Sequence, residues 1–246
     1  MGVQIESRIQ TEEADGIAVV RLAKPPVNAL DADFLEQLES EILALRGVRG
    51  IVITGAGRAF SAGVDLHRVL DGGQPYTERL LSSMSSCFET VYSLRVPVVA
   101  AVNGHAIAGG CALALACDTR YMSKGKFGLN ELALGLAFPP PILQIIATVL
   151  GDRTYSIITG AKLHDPEEAF NLGMVDGVVA PEELEKTAIA EAARLASIPA
   201  PVFAATKNAL RPLRKTTDFD GDAITKMARQ WLIPENVERI KAIVNH

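Results

Sequence analysis

The stretch Val96-Pro97-Val98-Val99-Ala100-Ala101-Val102-Asn103-Gly104-His105-Ala106-Ile107-Ala108-Gly109-Gly110-Cys111-Ala112-Leu113-Ala114-Leu115-Ala116-Cys117-Asp118 changes character along its length. Its beginning is a β-branched apolar run between polar breaks, which reads as a buried strand. Its end is a run of small and straight-chain apolar residues without proline, which reads as a helix. Between the two, Gly104, Gly109 and Gly110 leave little side chain. A strand therefore feeds a helix N-terminus. There, free backbone N–H groups and the positive end of the helix dipole face outward, and glycine lets a ligand oxygen come close. Taken alone, the segment fits tight helix packing through small residues equally well.

Working outward, residues 16–22 and 48–54 repeat the strand pattern. Asp31 is a plausible cap for a helix carrying Phe34, Leu35, Leu38, Ile42 and Leu45 on one face, and Leu80, Met84, Cys87, Val91 and Leu94 form a similar face later. This alternation predicts an α/β fold with a largely parallel sheet. Past residue 140 only residues 174–179 read as a strand, and helices are expected around 142–159, 165–171, 182–196, 201–214 and 218–231. No stretch is long or polar enough for an interdomain linker.

A second segment, Phe60-Ser-Ala-Gly-Val-Asp-Leu66, also follows a strand and combines small residues with a turn-favouring glycine. Two backbone N–H groups converging on one oxygen form an oxyanion hole, which stabilises negative charge developing on a carbonyl. Alone, the segment reads as an ordinary loop.

Composition and missing motifs narrow the function. The chain has 246 residues, 48% hydrophobic and 22% charged, enough for one sizeable core. A net charge of −5 gives no overall basic field for nucleic acid. Cys87, Cys111 and Cys117 have no C-x-x-C spacing, and the four histidines are dispersed, so neither a disulfide framework nor a metal site is indicated. Gly55-Ala-Gly57-Arg-Ala-Phe60 starts like a dinucleotide fingerprint but has Phe60 at the third glycine position. Residues 132–151 are uncharged, yet Pro139-Pro140-Pro141 interrupts them, which favours a buried loop and helix over a membrane span. The N-terminal residues carry no targeting pattern, so a cytoplasmic location is expected.

Taken together, the two glycine-bearing segments resemble those of the crotonase, or enoyl-CoA hydratase/isomerase, superfamily, and the likeness covers nearly the whole chain. Its elements appear in order as Lys24-Pro-Pro-Val-Asn-Ala-Leu30, Phe60-Ser-Ala-Gly-Val-Asp-Leu66, Pro97 through Gly109-Gly110 to Asp118, Phe127-Gly-Leu-Asn-Glu131, Gly135-Leu-Ala-Phe-Pro139, Gly160 and Ala169-Phe-Asn-Leu-Gly-Met-Val-Asp176. The resemblance implies a spiral of ββα repeats followed by a C-terminal helical trimerisation region. Residues 1–190 would form the core with the catalytic site, and residues 191–246 the helical region of the same structural unit. It further implies a homotrimer or dimer of trimers, an acyl-CoA thioester substrate and no separate cofactor, since CoA arrives as part of the substrate. The family's oxyanion hole carries over onto the N–H groups of Val64 and Gly109. Its substrate cradle carries over onto Val27, Ala29, Ala62, Gly63, Asp65, Leu66 and Gly110.

The acids distinguish the chemistries. Two-acid hydratases of this family have a glutamate three residues after the oxyanion glycine; here that residue is Ala112. The other family glutamate falls on Glu131, in a form that resembles single-glutamate delta-3, delta-2 enoyl-CoA isomerases. Hydration divides water activation and proton delivery between two carboxyl groups, whereas shifting a double bond needs one base that takes a proton from carbon 2 and returns it to carbon 4. Glu131 can do that alone. The expectation is an enoyl-CoA isomerase, with a one-acid hydratase or a non-catalytic acyl-CoA-binding homologue as alternatives.

Further expectations concern the surroundings. Leu129, Leu132, Leu134, Leu136 and Phe138 flank Glu131 and, where they line the pocket, would raise its pKa. Asp65 either orients its loop or contacts substrate; His67 and His105 read as packing or surface residues, and Cys111 and Cys117 as unreactive core. Lys207, Arg211, Arg214 and Lys215 share one helix face, read as solvated, part of which the resemblance would place near the CoA nucleotide.

Overall fold

Asp15 and Gly16, with φ of 52° and 73°, make the tight turn that folds β1 (Ile9–Ala14) back along β2 (Ile17–Leu22) as an antiparallel pair. The computed structural model describes residues 8–211 and 220–244. After β2 come α1 (Ala32–Ala44), β3 (Gly50–Gly55), β4 (Ala59–Ser61), α2 (Leu66–Ser93), β5 (Val98–Val102), β6 (His105–Ile107), α3 (Gly109–Ala116), β7 (Thr119–Met122) and β8 (Phe127–Gly128). The remainder runs α4 (Pro140–Leu150), α5 (Thr154–Gly160), β9 (Leu163–His164), α6 (Pro166–Asn171), β10 (Gly177–Val178), α7 (Leu184–Ala196), α8 (Ala200–Leu210), α9 (Gly221–Trp231) and α10 (Pro234–Val244).

The larger sheet has the order β1-β2-β3-β5-β7-β10 and is parallel from β2 to β10. Its central strands β3 and β5 are buried along their whole length, as strands covered on both faces must be, which explains their uninterrupted apolar sequence. On one face α7 packs Leu184, Ala188 and Ala192 against Val19, Val52, Val99 and Ala101. The main core lies on the other face. There α1, capped by Asp31 through Phe34 N–H, contributes Phe34, Leu35, Leu38 and Ile42, each worth about 1.5–3 kcal/mol on burial. In a smaller sheet, β4-β6-β8-β9, three strands directly follow strands of the larger sheet: β4 after β3, β6 after β5 and β8 after β7.

The expected parallel α/β core is present, with three differences in detail. The single helix expected over 142–159 is broken at Gly151 (φ 53°), a conformation that ends α4 before α5 starts. The strand expected over 174–179 is present as the short β10, but the C-terminal third also contains the unexpected short strand β9, and α10 extends the helical region beyond the segments expected. Among the described residues no single helix is long and apolar enough to cross a membrane.

Candidate active site

The loop before α1 is fixed by Asn28, which is buried and held at φ 53°. Its Nδ2 donates to the carbonyls of Ala56, Ala59 and Phe60 at 3.1, 2.8 and 3.1 Å. Its own carbonyl accepts from Ser61 Oγ at 2.8 Å, and that hydroxyl accepts from Gly63 N–H at 3.2 Å. Leu30 N–H donates to Gly63 O, and Asp65 N–H to Leu30 O, at 2.8 and 2.9 Å. Backbone groups alternate in direction along such a parallel bridge, so the N–H of Val64 points away from Leu30.

Gly63, at φ 86°, brings this loop against the start of α3: a Cβ there would lie 2.7 Å from Ile107 O and 3.2 Å from Gly109 N. Only glycine fits. Ala108 precedes α3 at φ 52°, and its N–H is spent on Gly128 O at 2.8 Å. The N–H groups of Val64 and Gly109 meet no acceptor among the described residues. At the other end of α3, Arg211 Nη2 donates to the carbonyls of Leu115, Ala116 and Cys117, and Arg120 Nη1 to that of Cys117. Cations there complement the helix dipole.

Glu131 begins a 3-10 turn, Glu131–Leu134, that β8 delivers and that Gly135 ends at φ 75°. Its carboxyl is buried, and Oε2 has no hydrogen-bond partner among the described residues. Loss of water, opposed only by its own backbone N–H, pushes its pKa from the usual 4.5 up to about 8.

These pieces line one cavity of about 270 Å³. Ala62, Val64, Leu66, Gly109 and Glu131 are all on its wall; Val27, Ala29, Gly63, Asp65 and Gly110 are not. Gly110 packs on Ser61, and Asp65 caps α2 through Arg68 N–H while its carboxylate pairs with Lys24 at 3.4 Å. Ala112, in the position of the second family acid, lines the cavity too. Of the leucines flanking Glu131, Leu134 and Leu136 line it, as does Phe138, but Leu129 packs elsewhere in the core and Leu132 is exposed. Adjacent residues on a tight turn point in different directions, so sequence proximity alone overstated the lining.

Several wall residues carried no signal in the sequence. Trp231 of α9 and Ile243 of α10 reach the cavity from the C-terminal region, and Trp231 Nε1 donates to Ala137 O at 2.9 Å. Asn130 lines it beside Glu131. His67 and His105 are exposed, and the three cysteines are buried, with Cys117 pushed up to about 12 by desolvation. Among the described residues no group of three His, Cys, Asp or Glu is placed to hold a metal.

The solvated basic face expected on α8 is corrected at both described positions. Lys207 is buried, with Nζ 2.7 Å from Asp118, and Arg211 binds the other oxygen of Asp118 at 2.7 Å while stacking on Tyr92. Arg214 and Lys215 lie outside the described residues.

Residues 12–232 match the family model described as enoyl-CoA hydratase/isomerase. The chain belongs to the enoyl-CoA hydratase/isomerase family. Among its relatives, human mitochondrial enoyl-CoA delta isomerase 1 is 29% identical over 95% of this chain and 83% of its own length. A putative enoyl-CoA hydratase of Thermus thermophilus is 32% identical over 91% of each. The crystal structure of human mitochondrial delta3-delta2-enoyl-CoA isomerase superposes with a TM-score of 0.91 over 97% of both chains, at 25% identity. The fold is thus the crotonase fold with its C-terminal helical region, and the chain is an enzyme of this hydratase/isomerase family.

Proposed function

We propose that this enzyme is an enoyl-CoA isomerase that moves a double bond from position 3 to position 2 of an acyl-CoA thioester. The observation that carries this reading is the single buried carboxyl in an apolar cavity, Glu131, with Ala112 lining the same wall in place of a second acid. The carboxylate removes a proton from carbon 2, the thioester oxygen takes up the charge, and the carboxyl returns the proton to carbon 4 on the same face. The N–H groups of Val64 and Gly109, lining the cavity without acceptors, supply the oxyanion hole. Burial gives Glu131 the basicity such an abstraction needs.

The substrate cradle of this reading comprises Val27, Ala29, Ala62, Gly63, Asp65, Leu66 and Gly110; Val27 and Ala29 flank Asn28, whose Nδ2 ties their loop to the carbonyls of Ala56, Ala59 and Phe60. The reading extends to a cytoplasmic enzyme of acyl-CoA degradation, without a separate cofactor and assembled as a homotrimer or a dimer of trimers. The test follows the absorbance of the conjugated enoyl thioester. A rise with a 3-enoyl-CoA that disappears in Glu131→Gln is expected; no rise in the unaltered protein would exclude the isomerase.

A further inference from the structure

The helical region grips the turn that carries Glu131 by its backbone carbonyls. Trp231 Nε1 of α9 donates to Ala137 O at 2.9 Å, and Arg239 Nη1 of α10 to Ala133 O at 3.4 Å. Between them, Gly135 O accepts from two side-chain amides, Gln230 Nε2 at 3.0 Å and Asn236 Nδ2 at 2.9 Å. Gln230 and Arg239 are exposed, whereas Asn236 is only 4% exposed. An exposed donor exchanges its acceptor for water at little net cost, but a buried polar group stripped of its partner costs about 1–3 kcal/mol. Asn236 Nδ2 also donates to Gln230 O at 2.9 Å. Both of its hydrogens therefore end on carbonyls, which only this orientation of the amide allows.

The hold reaches the base through one peptide group. The C=O of Gly135 and the N–H of Leu136 belong to the same rigid plane and point in opposite directions. Asn236 fixes that C=O, and the N–H at the other side donates to Glu131 O at 3.0 Å. Gly135 N–H also points at the carbonyls of Glu131 and Leu132. The fit admits no side chain, since a Cβ on Gly135, at φ 75°, would collide with Asn236 Oδ1. Glu131 Oε2 meets no donor among the described residues, so the turn and the packing around it aim the carboxyl. We propose that Asn236 is a positioning residue for Glu131, holding the Gly135–Leu136 peptide so that the turn presents the carboxyl to the cavity. The proposal rests on the reading of Glu131 as the base of the reaction. A base displaced by 1 Å can lose about 100-fold in rate, and a loosened turn also lets water reach the carboxyl.

The test compares the unaltered protein with Asn236→Leu, which has similar bulk and no donor, and with Asn236→Ala in case the leucine does not fold. Gly135→Ala and the double variant Gly135→Ala with Asn236→Ala complete a cycle. Isomerisation of a 3-enoyl-CoA is followed against pH, and ionisation of Glu131 by carboxyl carbon NMR with Glu131→Gln as the reference. The expected result is a kcat about 10- to 100-fold lower, a KM little changed and an acid limb moved below that of the unaltered protein. The double variant should be no slower than the slower single one, because both changes break the same contact. A lower kcat with an unmoved acid limb marks a smaller folded fraction and would overturn the proposal. So would an unchanged kcat, or effects that multiply in the double variant. An unaltered protein that does not isomerise removes the proposed function by itself. The NMR titration then decides for Asn236: a Glu131 carboxyl that ionises at the same pH with and without the amide overturns its role, and one that ionises at lower pH without it upholds the grip on the turn.

Discussion

A carboxyl whose pKa is about 8 in the folded protein and ordinarily 4.5 ties both activity and stability to pH at one residue, Glu131. In the proposed reaction the ionised form abstracts the proton, so kcat/KM is expected to rise with pH, reach half its plateau near 8 and level off above it; an acid limb at an ordinary carboxyl pKa would contradict the buried base. Stability runs the other way. Between the two pKa values the folded protein binds more protons than the unfolded chain, so this group's contribution is fully present below about 4.5 and is lost as the pH rises through about 8. Glu131→Gln should therefore lower isomerisation by about 100- to 10,000-fold while flattening that part of the pH dependence in urea unfolding. The chemical identity of this residue was legible in the sequence because Ala112 and Glu131 fall in an ordered series of motifs. Its unpartnered state was not, since burial depends on side chains that arrive from distant elements. Asn28 shows the same limit: an asparagine inside a motif says nothing of the three carbonyls it binds, 28 to 32 residues away.

Elements meet at this site through glycines that admit no side chain. Gly63→Ala would push a Cβ into Ile107 O and Gly109 N at φ 86°. Displacing the two N–H groups should cost about 100- to 1000-fold in kcat/KM, with less effect on acyl-CoA affinity, a split that steady-state kinetics can read. At its far end α3 is anchored by the Asp118, Lys207 and Arg211 cluster. Asp118→Asn leaves the buried Lys207 and the partly buried Arg211 short of their partner and should destabilise the fold by about 3–5 kcal/mol in urea titration. The long strands β2, β3 and β5 were readable from their apolar runs, and α1 from its cap and face. The two- and three-residue strands β4, β6, β8 and β9 were not, because so short a segment cannot display an alternation. The cluster on α8 was misread for another reason. Spacings of four residues look identical whether the face meets water or an aspartate 89 and 93 residues back in the chain.

For the molecule as a whole, the sequence pattern announced an α/β core followed by helices, and the ordered motifs announced its family. What it left hidden was the closing of the cavity by the helical region. Trp231 and Ile243 complete the wall, and Gln230 and Asn236 both donate to Gly135 O, at 3.0 and 2.9 Å, just past the turn that carries Glu131. Trp231→Ala should cost about 3–5 kcal/mol. By admitting water to Glu131 it should also move the acid limb of the pH–rate profile below 8, and an unmoved limb would show that Trp231 does not keep the carboxyl dry. The arrangement also sets a clock during synthesis. A ribosome adding about 5–20 residues per second releases Trp231 roughly 5–20 s after Glu131, so a nascent chain already carrying Glu131 and the glycine segments still lacks part of the wall around that carboxyl. If Trp231 keeps the carboxyl dry as predicted, the proposed catalysis begins with the arrival of a tryptophan rather than with the making of the base itself.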